Sequence, residues 1–228
     1  MQMVILCGGV ATRLGSLAKD IPKSMIQIYG KPFLEYQIEM LRKQSIKDIV
    51  LCVGHLAEKI QGYFGSGEKF GVNIRYSYDK DKPLGPIGAL KKAESLLDDV
   101  FFTMYGDSYV SVDFNKVYTY FVEHNKLALM VVYKNYDKYD NSNIVVKNGR
   151  VMRYNEEKTK DMVYIDYGVS IFRKKALDII PEDVLYSKNL YSKLTKQDDL
   201  LAYEVKRRFY HIGTLEALNE FKKYMESK

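Results

Sequence analysis

The chain opens on an apolar run of strand length, Met3-Val4-Ile5-Leu6-Cys7, that stops abruptly at Gly8-Gly9. A continuous apolar strand is one buried on both faces, and burial on both faces belongs to parallel sheets covered by helices. A small, polar and basic stretch follows, Val10-Ala11-Thr12-Arg13-Leu14. Strands that open into glycine loops bring backbone N–H groups against phosphate oxygens. Glycine reaches conformations closed to other residues and lets a ligand approach the backbone. Arg13 adds a permanent forked charge suited to phosphate, and Lys23, held behind Pro22, adds a second cation. The same residues also read as a plain strand-ending turn, and two common nucleotide fingerprints are missing. Val10 and Ala11 interrupt G-x-G-x-x-G, and there is no G-x-x-x-x-G-K-[ST].

The alternation continues. Ile49–Val53 is a buried strand ended by Gly54, Val72–Tyr78 alternates as a strand, and Val100–Tyr105 is a strand ended by Gly106-Asp107. Helical spacing appears over Phe33–Leu41, Ala57–Phe64, Ala89–Leu97 and Phe114–His124, with Pro83–Gly88 as a loop. Strand–helix alternation predicts an α/β fold, a Rossmann-like and mostly parallel sheet with helices on both faces. Ligands in such sheets bind at the carboxyl ends of the strands, which groups Gly8-Gly9, Leu84-Gly85 and Gly106-Asp107. The second half is richer in β-structure. It holds a hairpin over Asn143–Val151 with an Asn148-Gly149 turn, a long strand over Met162–Phe172 and short strands at Ala202–Val205 and Phe209-Tyr210. Helices are expected at about 173–179 and 188–196, with a closing one at about 214–226. There is no internal repeat and no clear linker. One domain over residues 1–228 is expected, its nucleotide-binding half ending near residue 135 and its acceptor-binding half following.

The length of 228 residues suits one full core. A net charge of +6 raises nucleic acid as a partner, but the cations are dispersed and the densest run, Lys206-Arg207-Arg208, is short. A polyanionic small ligand accounts for that balance equally well. Cys7 and Cys52 both sit in apolar runs and read as free thiols in a reducing cytoplasm. The first apolar run is short and lacks a basic flank, so no signal peptide is expected, and no apolar stretch in this sequence approaches membrane length.

Asp107, directly after a strand and a glycine, is well placed to hold a hard cation at the sheet edge. The alternative is a strand-ending Asp that caps its own turn.

These stretches resemble the sugar-1-phosphate nucleotidyltransferases, whose signature reads roughly G-G-x-G-T-R-L and then P-K. The chain is most similar to the heptose-1-phosphate guanylyltransferase-like branch, over residues 1 to about 220. The resemblance implies the nucleotide-diphospho-sugar transferase fold, with the second half as a sugar-binding or lid portion. It implies transfer of a nucleoside monophosphate from a triphosphate to a sugar 1-phosphate, with pyrophosphate released and Mg²⁺, or Mn²⁺, as cofactor. The first expectation is GTP with a heptose or mannose 1-phosphate. UTP, CTP or dTTP with another acceptor, or a non-catalytic binding homologue, stand as alternatives. No nucleic acid or membrane partner follows from it, and a homo-oligomer is compatible with it.

By the same resemblance Arg13 and Lys23 meet the phosphates and Asp107 the metal, while Leu6, Gly8, Gly9 and Thr12 cradle the nucleotide. Leu84, Gly85 and Gly88 belong to the base loop, and Asp79 is a candidate acceptor for a guanine edge. Glu157 and Lys158 resemble the E-K of an E-K-P motif for the acceptor, and Asp166 and Gly168 line the sugar pocket. The same Glu157-Lys158 stretch also reads as a solvated charged loop.

The departures are specific. Ala11 stands for a glycine, and Pro86-Ile87 replaces a Thr and a small residue. Thr159 stands for the Pro of E-K-P. His211 stands where the family's D-I-G-T carries a second metal-ligating Asp, and imidazole is a poor partner for Mg²⁺.

Overall fold

The computed structural model describes residues 1–9, 14–15, 19–79, 84–154, 157–180 and 187–228. Arg13 and Thr12 of the expected phosphate cradle, with Ala11, lie outside the described residues.

The strands are β1 (Gln2–Leu6), β2 (Gln27–Ile28), β3 (Lys31–Pro32), β4 (Asp48–Val53), β5 (Asn73–Tyr78), β6 (Val100–Tyr105) and β7 (Ser108–Tyr109). They continue with β8 (Ala128–Lys134), β9 (Ile144–Lys147), β10 (Arg150–Tyr154), β11 (Tyr164–Arg173), β12 (Leu200–Val205) and β13 (Tyr210–His211). The helices are α1 (Phe33–Lys43), α2 (Ala57–Phe64), α3 (Gly85–Lys92), α4 (Phe114–Glu123), α5 (Ser187–Lys196) and α6 (Leu215–Glu226).

Nine strands form one sheet in the order β5-β4-β1-β6-β11-β8-β12-β10-β9. β5, β4, β1 and β6 pair in parallel; β11 is antiparallel to β6 and to β8, and β12 is parallel to β8. β10 is antiparallel to both β12 and β9. The directions therefore agree for every strand but β11 and β10, yet only four of the nine pairings are parallel: the sheet is parallel from β5 to β6 and mixed beyond, where a mostly parallel one was expected. The expected turn at Asn148-Gly149 is present, with φ of +50° and +70°, and it sets the β9–β10 register.

Strand alternation sorts the core onto two faces. Met3 and Ile5 of β1 face one cluster, with Ile38 of α1, Phe64 of α2 and Val117 of α4. Val4, one residue along, faces the other, with Leu90 of α3 and Leu194 of α5. A third cluster seats α6 on α1 through Phe221, Phe33 and Tyr109. Helices thus cover both faces, as the continuous apolar strands require.

Two elements differ from expectation. The loop expected over residues 83–88 is helical from Gly85, with Pro86 in the first turn of α3. Proline is tolerated there because the N–H it lacks has no helical partner at that position. The helix expected at about 173–179 is a 3₁₀ segment, Lys174–Ile179.

Candidate active site

The carboxyl ends of β1, β4 and β6 open on a cleft of about 240 Å³. Its walls are Gly8 and Gly9 after β1, Lys23 and Ser24, Asp79 after β5, Gly85 and Pro86 on α3, and Tyr105 to Asp107 after β6. The topology therefore brings together the three strand-ending glycine segments that the sequence grouped. Gly8 and Gly9 do not use the left-handed backbone that only glycine reaches readily. Space at Gly8 is tight instead: a methyl there would lie 3.1 Å from Oδ2 of Asp79, which would have to shift by a few tenths of an ångström. Gly106 is tighter still, since a methyl would lie 2.8 Å from Cys7 Sγ and 2.9 Å from the Leu6 carbonyl oxygen. Any larger residue would push Asp107 off the end of β1.

Asp107 carries the electrostatics of the cleft. Its Oδ2 is ion-paired with the Lys23 ammonium, and its Oδ1 accepts from the Ser108 hydroxyl at 3.1 Å. Lys23 sits on a short 3₁₀ turn behind Pro22. Asp107 is about one third exposed, so a hard cation arriving from solvent reaches it. Among the described residues no group of three or more His, Cys, Asp or Glu side chains could hold a metal.

The backbone that carries Asp107 is fixed by a residue that sequence reasoning missed. Gln37 is fully buried, and its Nε2 donates to the Tyr105 and Ser108 carbonyl oxygens at 2.9 and 2.6 Å. The signal was present: Phe33, Leu34, Ile38 and Leu41 define the buried stripe of α1, and Gln37 lies within it. A long amide on an apolar stripe marks backbone groups that need a partner.

Asp79 accepts from the Leu84 backbone N–H at 3.2 Å, and desolvation raises its carboxyl above the usual range. It therefore ties the end of β5 to the start of α3 while edging the cleft. Cys7 and Cys52 are both buried free thiols on the cleft floor, and burial pushes Cys7 up to about 12.

A second cavity of about 10 Å³, room for one water-sized group, adjoins the first through Leu6, Pro86 and Tyr105. Asp166, Gly168, Ser170 and Tyr191 line it. Burial raises the Asp166 carboxyl to about 6, against hydrogen bonds from the Gly168 N–H (2.8 Å) and the Tyr105 hydroxyl (3.4 Å). Gly168 has φ +84° at the point where β11 shifts register between Asp166 and Ser170. The Ser170 and Tyr191 hydroxyls bond to each other at 2.9 Å. Tyr105 and Tyr191 were not among the expected site residues. Their apolar bulk made them read as core.

Besides Asp166 and Gly168 in the second cavity, five expected residues lie off the main cleft: Leu84, Gly88, Glu157, Lys158 and His211. Gly88 is inside α3. Glu157 is exposed, and Lys158 lines a separate depression with Asp137 and Met162. The Lys158 ammonium donates to Asp137 Oδ1 and to the Ser142 carbonyl, each at 2.6 Å. His211 stands on β13, opposite Ser108 of β7. Its Nδ1 accepts from the Gly213 backbone N–H at 3.0 Å, and the Ile212 N–H donates to the Asp107 carbonyl oxygen at 3.0 Å.

The Nucleotidyl transferase family model matches residues 2–228. The chain is 34% identical over 199 residues to a D-glycero-alpha-D-manno-heptose 1-phosphate guanylyltransferase of Campylobacter jejuni, covering 87% of this chain and 86% of that one. It is 31% identical to a UTP–glucose-1-phosphate uridylyltransferase of a Synechocystis species, covering 82% of this chain and 52% of the relative, about half its length. Among solved structures, HddC from Yersinia pseudotuberculosis complexed with GMP-PN superposes with a TM-score of 0.80 at 25% identity, over 98% of this chain and 99% of that one.

Proposed function

The chain belongs to the nucleotidyl transferase family, and from that premise we propose that it joins a nucleoside triphosphate to a sugar 1-phosphate. An oxygen of the sugar phosphate attacks the α-phosphorus, a new P–O bond forms, and the bond to the departing pyrophosphate breaks. The products are a nucleoside diphosphate sugar and pyrophosphate. The observation that carries this reading is the cleft itself. Two carboxylates, Asp107 and Asp79, one ammonium and two strand-ending glycine loops converge at the carboxyl ends of adjacent parallel strands. No side chain there needs to form a covalent intermediate, because positioning and charge neutralisation suffice for in-line phosphoryl chemistry.

The residues have distinct tasks. Gly8 and Gly9 leave room for the phosphates beside the backbone. Lys23, supported by Arg13, neutralises phosphate charge. Asp107 fits a magnesium ion carried by the triphosphate, since Mg²⁺ binds through one or two carboxylates and keeps its phosphate and water ligands. When bound, that ion supplies further charge neutralisation at the phosphates. Leu6 and Gly85 line the cleft on the nucleoside's side, with Asp79 facing the base, and the family resemblance adds Thr12, Leu84 and Gly88 to that side. Guanine is the base we favour, from the similarity to a heptose 1-phosphate guanylyltransferase. The carboxylate of Asp79 suits the paired N–H donors of a guanine edge. Asp166 and Gly168 border the acceptor sugar, while Glu157 and Lys158 are assigned to the acceptor by the family resemblance alone.

Pyrophosphate release with four nucleoside triphosphates against mannose, glucose and heptose 1-phosphates tests the reading. Turnover with GTP and a manno-configured acceptor is expected. Binding of nucleotide without turnover under any divalent cation would favour a non-catalytic homologue.

A further inference from the structure

We propose that Gln37 is a positioning residue for the reaction: from α1 it holds both ends of the turn that presents Asp107, and so sets how well that carboxylate meets a cation brought in with phosphate. This rests on the cleft being a nucleoside triphosphate site in which Asp107 faces the metal.

Asp107 stands on the turn between β6 and β7, beyond the reach of the sheet ladder on one side. β11 pairs with β6 only from Val100 to Met104, so the Tyr105 carbonyl lies past that register. Each residue of the turn gives one backbone group to a neighbour. The Gly106 N–H donates to the Leu6 carbonyl oxygen at 3.0 Å, and the Asp107 carbonyl oxygen accepts from the Ile212 N–H at 3.0 Å. The carbonyl oxygens at the two ends, of Tyr105 and Ser108, both accept from Gln37 Nε2, at 2.9 and 2.6 Å. One amide nitrogen carries two protons. Here they span the turn and fix the separation of its ends, with Asp107 between them.

The helix behind this amide is firmly seated. Phe33, Leu34, Ile38 and Leu41 of α1 are wholly buried, and so is Gln37. The Gln37 Oε1 has no hydrogen-bond partner among the described residues. Both donors are used and the acceptor is not, so the side chain is aimed at the turn. Gln44 lies seven residues on, two helical turns along the same side of α1. Its Oε1 accepts from the Phe114 backbone N–H at 3.1 Å. The two amides thus hold the same connecting segment from the same helix. Gln37 does so beside Asp107, and Gln44 does so at Phe114, a core residue.

That pairing supplies the test. Gln37→Met fills a similar volume and deletes both donors; Gln44→Met deletes the bond at Phe114. Each should lower the melting temperature by a few degrees. Only Gln37→Met should lower kcat, by roughly thirty- to a hundredfold, the scale on which a misplacement of about 1 Å acts. The rates are read as pyrophosphate release with the triphosphate and sugar phosphate that the wild type turns over fastest. Binding is read by calorimetry with inorganic pyrophosphate, so that it depends on no base and no turnover. Metal-free pyrophosphate should bind Gln37→Met as it binds the wild type. The gain in affinity on adding Mn²⁺ should be lost in Gln37→Met and kept in Gln44→Met. Where Gln37→Met does not fold, Gln37→Asn carries the same expectations, since it keeps the amide but draws it back from the two carbonyls by one methylene.

A Gln37 variant that keeps the wild-type Mn²⁺ gain and kcat, or a Gln44→Met protein that loses both to the same extent, would overturn this inference alone. Wild type that binds pyrophosphate with no gain from Mn²⁺ would overturn the assignment of Asp107 to the metal. Wild type that binds neither pyrophosphate nor any of the four triphosphates, with or without Mn²⁺, would overturn the reading of the cleft and this inference with it.

Discussion

Among the described residues Asp107 pairs with Lys23, which lines the cleft, and accepts from the buried Ser108, and neither belongs to a core cluster. Asp107→Asn keeps the shape and removes the charge. It should therefore lower turnover by at least about a hundredfold, the scale of lost electrostatic stabilisation, while thermal unfolding moves by only a few degrees. Parallel pyrophosphate-release and melting measurements check both halves. Asp166 is the converse case, a carboxylate that burial makes costly to ionise, raised to about 6. The folded state holds its proton up to that pH and the unfolded chain releases it near 4. The contribution of this group to stability is therefore full below about pH 4 and is lost as pH rises to about 6. Asp166→Asn should stabilise the unliganded protein on the order of 2 kcal/mol at pH 7, allowing for the edge open to the cleft, and by nothing at pH 4. Denaturant titrations at the two pH values give the comparison. If acceptor binding depends on the ionised carboxylate, the same variant loses affinity for the sugar phosphate as it gains stability.

Among the elements, β11 positions most by departing from regularity. Its register shift places Gly168 at φ +84°, where a methyl would lie 3.2 Å from Ser108 Cβ. Gly168→Ala should cost about 1–3 kcal/mol, the range for a residue forced into a sparsely populated backbone region. Because the clash falls on the neighbour of Asp107, turnover should drop together with stability; a melting shift with unchanged kcat would count against the coupling of β11 to the Asp107 carboxylate. The sequence made the parallel half legible because β1, β4 and β6 are nearly continuous apolar runs, β5 alternates, and each is followed by a glycine or an aspartate. Gly8, Asp79, Gly85 and Asp107 then meet at one edge by topology alone. The rest was hidden for identifiable reasons. Gln37 acts on backbone oxygens far along the chain, and no local pattern names its partners. Tyr105 and Tyr191 have the composition of core and the hydroxyls of a site. The Lys158 contacts depend on a loop over residues 135–142, wired through Asn135, Asp137 and Ser142, whose closure no spacing rule reads.

For the molecule as a whole, one sheet carries both halves, and the two face clusters run its length. No helix among the described residues is long and apolar enough to cross a membrane. The net charge of +6 suits a cleft that collects polyphosphate, and a bound nucleotide stabilises the folded state by mass action. Guanosine triphosphate at a hundred times its dissociation constant should add about 2.7 kcal/mol. A thermal-shift series over the four bases then ranks the donors without any acceptor. The two-stranded ribbon of β7 and β13 joins residue 108 to residue 211, across most of the chain. Its consequence lies in biosynthesis. As a ribosome feeds out the chain, β1, β4, β5 and β6 all emerge within the first half and pair among themselves. The carboxylate of Asp107 emerges with them, beside a strand whose partner has yet to be translated. A polypeptide stalled before residue 210 thus holds every described residue that lines the cleft, while β7, next to Asp107, still lacks the strand that pairs with it.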